Sequence, residues 1–249
     1  MKLTKLALAG AVSFSTVLAA GAPAFAEEAA TMKSVTDVSF TESEEITNPV
    51  NPLNPDETVE SKDPNDKEDP HEPGTQGPLS IDYVSNFHFG KQVMSGNDQV
   101  YNAKLDTLKV KGATESTEVP NYVQVTDNRG TNKGWKLTVK QNGQFIADDK
   151  DKAVLDGAEL KLSNPVAKSA TNQKYAPEVK EVTLNPNGDT QEVAIAAAEK
   201  GMGTWVTMYG EDAKKGIESV TLSVPGSTAK IKDAKYQTSL TWTLEDTPQ

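Results

Sequence analysis

Tyr236-Gln-Thr-Ser-Leu240-Thr-Trp242-Thr-Leu244-Glu-Asp-Thr-Pro248 is the stretch that decides the fold. Tyr, Thr, Leu and Trp alternate with polar residues, and a period of two among β-formers is that of a half-buried strand. Tyr236, Thr238, Leu240, Trp242 and Leu244 then share one face. Pro248 has no N–H to donate and ends the ladder.

Working outward, the same pattern occurs in Gly134-Trp135-Lys-Leu137-Thr-Val139-Lys140, with Trp135, Leu137 and Val139 on one face. Eight further segments read as short strands, at 79–89, 99–105, 122–127, 159–163, 179–184, 192–198, 204–209 and 219–224. Turn formers separate them, including Asn128-Arg-Gly130, Asn185-Pro-Asn-Gly188 and Pro225-Gly226. Asn142-Gly143 is the strongest hairpin signal, because a type I′ turn needs positive φ at both central residues. It should join 135–141 to 144–147. No long segment keeps a helical period; Ala196-Ala-Ala198 before Gly201 suggests one helical turn at 194–200, with strand continuation as the alternative. The expectation is an all-β domain of about ten short strands, sandwich or barrel-like.

The two Trp-x-Leu strands resemble the paired signature motifs of the WxL family, cell-wall-binding domains of low-GC Gram-positive surface proteins. The distal form, Tyr236 through Leu240-Thr-Trp242-x-Leu244 to Pro248, is the more specific half. Gly201-Met-Gly203-Thr-Trp205 leading to Tyr209-Gly210, and Leu79-Ser-Ile-Asp-Tyr83 leading to Phe89-Gly90, are similar to further segments of that family. The resemblance spans residues 79–249. It implies a protein held non-covalently on peptidoglycan, acting with a membrane-anchored partner protein and a small wall-sorted protein.

The ends of the chain are of a different kind. Residues 1–26 carry Lys2 and Lys5, an apolar run, and Ala24-Phe25-Ala26, the pattern of a secretory signal peptide cleaved after Ala26. Residues 27–78 hold 14 acidic and 3 basic residues, 7 of the 14 prolines, and Phe40 as their one aromatic. Apolar burial cannot offset ordering entropy there, so 27–78 reads as a disordered acidic, Pro-rich linker and 79–249 as the folded domain. Within the linker, Asp63-Pro-Asn65-Asp66-Lys-Glu68-Asp69 lacks the glycine and flanking helices of a calcium loop, so solvated disorder is the expectation.

The net charge of −11 belongs to that linker, and the domain is nearly neutral. A neutral domain gives no electrostatic footprint for nucleic acid. The chain has no cysteine, which excludes disulfides, thiolate zinc sites, a Cys nucleophile and a lipoprotein anchor. His88 is the single histidine of 79–249, lies between Phe87 and Phe89, and should face solvent. It cannot build a zinc site alone. Asp148-Asp149-Lys-Asp151 reads as a solvated loop rather than a glycosidase pair, which needs set separations on rigid elements. With no nucleophile elbow or phosphate loop, no catalytic residue, metal or cofactor is expected.

The tryptophans have two readings, a core or a platform for sugar rings. Alternation argues core for Trp135 and Trp242; Trp205, beside Gly203 and Tyr209, is the more open case, and Trp205 and Tyr209 are the candidates for exposed aromatics. Trp135, Leu137, Tyr236, Leu240, Trp242 and Leu244 are the motif residues, for fold or wall binding. No sorting motif, hydrophobic tail or lipidation cysteine follows signal cleavage, and no membrane span is expected. Retention at the cell surface should therefore come from binding peptidoglycan or, alternatively, a membrane-anchored partner with indirect wall association.

Overall fold

The structure, a computed structural model, describes residues 30–148 and 151–246. The signal-peptide expectation, Asp149 and Pro248 lie outside them. The chain separates into two units, Met1–Phe40 and Thr41–Gln249. In the first, residues 30–40 are exposed and carry no helix or strand. The second unit is all-β, as the alternation predicts, and its strands pair antiparallel throughout.

Three four-stranded sheets build it. The motif sheet runs Glu178–Val179, Gln191–Ala196, Trp135–Gln141, Leu240–Glu245. The middle sheet runs Pro165–Lys168, Gly203–Tyr209, Tyr122–Asp127, Leu79–Val84. The third runs Val182–Thr183, Glu159–Leu162, Val220–Val224, Gln99–Asn102. Their inner faces meet in one core that includes Trp135, Leu137, Val139, Leu160, Leu162, Val125, Trp205, Val193 and Val220.

The middle sheet is buried on both faces, and Tyr122–Asp127 is buried at every position. Its second face carries Tyr122, Val206 and Met208, joined by Tyr83. An irregularity in register between Ile81 and Tyr83 turns Tyr83 to that side, the usual effect of a bulge. Such a face needs a cover, and part of the expected linker provides it. Val50–Asn51 and Asn54–Thr58 form a hairpin, Val59 is 1% exposed, and Val59 bridges to Val110. Gln124 clamps the entry, its Oε1 accepting from the Val50 N–H at 2.8 Å and its Nε2 donating to the Asn48 carbonyl at 3.2 Å. The spacer expected over 27–78 is thus ordered from about Pro49, because the apolar area under it outweighs the ordering entropy that its composition suggests.

Other expectations are corrected. Asn142-Gly143 does not turn a hairpin: Gly143 has φ of 105° but Asn142 is not positive, and the Asn142 N–H donates to the Ser239 carbonyl at 2.9 Å. The place beside Trp135–Gln141 is taken by Leu240–Glu245, while Ile146–Ala147 pairs with Tyr236–Gln237. The helical turn at 194–200 is absent, the strand running to Ala196. A four-residue helix, Ala213–Gly216, forms instead behind an Asp212 cap that accepts from the Lys215 N–H at 2.7 Å.

Candidate functional site

The two motif strands lie side by side. Trp242 stands opposite Val139, and Leu244 opposite Leu137. The face assigned to the distal strand holds: Tyr236, Thr238, Leu240, Trp242 and Leu244 are half-buried, and the residues between them are exposed. The strand is nonetheless an edge, with no neighbour on its far side in its sheet. Trp242 is therefore a partly exposed aromatic that packs against the core from its margin, where alternation argues a place within it.

Trp135 is core, 1% exposed. Its indole N–H donates to the Gly201 carbonyl at 2.9 Å. A methyl group on Gly201 would stand 2.4 Å from the indole nitrogen, and one on Gly134 would stand 2.1 Å from the Ala196 carbonyl oxygen. Both glycines also have positive φ, at 73° and 84°. They are the residues that admit the first tryptophan. Trp205 and Tyr209, expected to be the exposed aromatics, are buried at 1% and 0%. Trp205 donates from its indole to the Met202 carbonyl at 2.9 Å, and burial pushes the Tyr209 hydroxyl up from its ordinary pKa.

Between residues 240–242 at the edge of the motif sheet and residues 81–84 at the edge of the middle sheet lies an open seam of about 660 Å³. Its apolar lining includes Trp242, Leu240, Phe87, Phe89 and Phe145. Polar groups stand at its margin: Asn142 Nδ2 donates to Ser239 Oγ at 3.1 Å and Thr241 Oγ1 at 2.9 Å. Residues 70–75 close the opposite side.

That closing segment is fastened by Asp69, the last residue of the acidic run whose composition suggests solvated disorder. Asp69 Oδ1 meets His88 Nε2 at 2.9 Å and accepts from Asn86 Nδ2 at 2.7 Å, while Oδ2 meets His71 Nε2 at 3.1 Å. Burial raises the Asp69 pKa, but the hydrogen bonds from Asn86, His88 and His71, with the attraction of His71, outweigh it and hold the group at about 2. His88 is exposed as expected. His71 is 5% exposed and stacks on Tyr83 with centroids 5.4 Å apart. Both histidines of the chain therefore serve one carboxylate.

Deeper, Asp82 is 3% exposed and accepts from Ser80 and Thr126 hydroxyls at 2.5 Å each and from Gln124 Nε2 at 2.8 Å. Burial raises its pKa despite those donors. Asp106 accepts from Tyr83 at 2.7 Å, Ser85 at 2.5 Å and Lys62 at 3.1 Å. These carboxylates are consumed in holding strands and strap together. The seam itself offers apolar rings, hydroxyls and amides.

The chain matches the model of the WxL domain surface cell wall-binding family over residues 27–248. It belongs to that family. The match includes the strap as well as the sheets. Comparison with curated proteins and with solved structures returned no match.

Proposed function

We propose that this chain is an exported, non-enzymatic surface protein that attaches non-covalently to peptidoglycan, working in a surface complex with a membrane-anchored partner protein. The observation that carries the reading is the family match, joined to the motif pairing that leaves Trp242 half-exposed along an open seam. An aromatic ring among hydroxyl and amide groups suits a wall polymer, because one face is apolar and the surroundings are wet. Among the described residues, no helix is long and apolar enough to cross a membrane. Attachment through binding fits that. Sedimentation of the purified chain, lacking residues 1–26, with isolated peptidoglycan tests it. Co-sedimentation that saturates is expected, and a protein left in the supernatant would sink direct wall binding.

The second reading, a structural subunit whose wall association runs through the partner protein, is favoured by the uncovered edge of Leu240–Glu245. Adding the partner to the same sedimentation separates the two. Co-sedimentation only in its presence supports the second.

A further inference from the structure

Two sheet edges flank the seam, and one is already covered. On the middle-sheet side Thr75 meets Ile81, its N–H donating to the Ile81 carbonyl at 2.9 Å and its Oγ1 accepting from the Ile81 N–H at 2.9 Å. On the motif-sheet side the ladder has a definite phase. The Asn142 N–H bonds to the Ser239 carbonyl, which makes 142 and 239 a hydrogen-bonded pair. Such pairs alternate along an antiparallel ladder. Thr241, Thr243 and Glu245 therefore aim their backbone groups at Trp135–Gln141, and Leu240, Trp242 and Leu244 aim theirs outward, the first two beside the seam and Leu244 just past its end. Among the described residues, these outward N–H and C=O groups have no partner in the hydrogen-bond network.

We infer that this edge takes an added strand: an extended segment of a partner protein lies in the seam, pairs with the backbone of Leu240, Trp242 and Leu244, and sets alternate side chains against Trp242, Phe87 and Phe89. The outward groups repeat every second residue, at about 6.8 Å, the repeat of an extended polypeptide. A row of sugar hydroxyls does not reproduce N–H and C=O pairs at that spacing. The edge also lacks the devices that keep edges apart. Leu240–Glu245 has no proline, no lysine and no break in register, and natural edges left so are templates for pairing. Strap residues oppose the edge across the seam, so a single extended segment suits the space better than the edge of a second folded sheet. Glu72 lines the seam and no Lys or Arg does, so the added strand is neutral or basic. The inference rests on the reading of the chain as part of a surface complex, and does not need direct wall binding.

Proline substitution provides the test, because proline is tolerated on an edge where its missing N–H faces outward. Leu244→Pro removes an outward donor without touching the ladder to Trp135–Gln141. The probe is a ten-residue peptide of alternating Val and Thr, with a copy N-methylated at alternate residues, both at about 1 mM, where even a millimolar site is half filled. Chitin hexasaccharide is run in parallel. Amide exchange in the chain lacking residues 1–26 is read at Leu240, Trp242 and Leu244. The plain peptide should slow all three, the methylated copy none, and in Leu244→Pro the slowing at Leu240 and Trp242 should be lost. Protection by the hexasaccharide alone, protection in the free protein that grows with its concentration, or no protection by the plain peptide overturns the inference.

Discussion

The indole of Trp135 is closed in by Gly201, which accepts its N–H at 2.9 Å and leaves no room for a side chain of its own. Truncating a buried tryptophan costs about 3–5 kcal/mol, and forcing extra volume into a packed core about 1–3 kcal/mol. Trp135→Ala and Gly201→Ala should therefore both lower the melting temperature, the first by more. Gly201→Ala melting with the parent protein would show that the indole does not need this cradle.

Trp242 should behave differently, although it belongs to the same motif. It is half-buried on an edge, so its removal forfeits only part of the roughly 1.5–3 kcal/mol of a fully buried large side chain. Trp242→Ala is expected to keep native circular dichroism and lose ligand at the seam. A collapse of the far-UV spectrum would return Trp242 to the core.

The strap makes a prediction about boundaries. Limited proteolysis should leave a resistant fragment that begins before Pro49, since Val59 is buried and Gln124 holds the backbone at Asn48 and Val50. Deleting residues through Thr58 should uncover Tyr122, Val206 and Met208 and cause aggregation, as large exposed apolar patches do. Gln124→Ala removes both clamping bonds and takes one donor from buried Asp82, at about 1–3 kcal/mol. A stable, soluble fragment starting at Leu79 would count against the strap.

Acid should loosen the wall of the seam before it melts the core. The folded pKa of Asp69 is about 2, below its ordinary 3.8. A depressed carboxylate contributes stability that is present above the unfolded value and lost as pH falls through the folded one. Amide exchange at His71 and Glu72 should accelerate between pH 3.8 and about 2, with the Trp135 indole still native. Asp69→Asn should show the fast exchange at neutral pH and no further change in that window. Equal protection at both ends of the window in the parent protein would remove Asp69 as the fastener.

Reading the sequence recovers what periodicity encodes and loses what depends on who covers whom. The faces of Trp135–Gln141 and Leu240–Glu245 follow from alternation alone, yet alternation does not say that the second strand is an edge. Trp205, beside Gly203 and Tyr209, reads as the open case in sequence, whereas Gly203–Tyr209 belongs to a sheet covered on both sides. The run Trp205-Val206-Thr207-Met208-Tyr209, buried at every residue, was the available signal, since strands buried on both faces read as continuous runs. The hairpin at Asn142-Gly143 failed because a distant strand competes for the same ladder. Strap order was hidden by averaging: Val50, Leu53 and Val59 are few among prolines and acids, but each meets the same face of the middle sheet. His71 lies in that same proline- and acid-rich segment, whose composition gives no sign of the carboxylate it shares with His88.

The pairing of distant strands also fixes an order of events in time. As the chain lengthens from its N-terminus, Val50 waits for Gln124, and Trp135–Gln141 has one flank unfilled until the chain has grown through Leu240. Closing such long loops comes before the contacts that reward it, which slows folding. The motif sheet therefore stays incomplete for most of the chain's synthesis, and it closes only when the second tryptophan strand arrives.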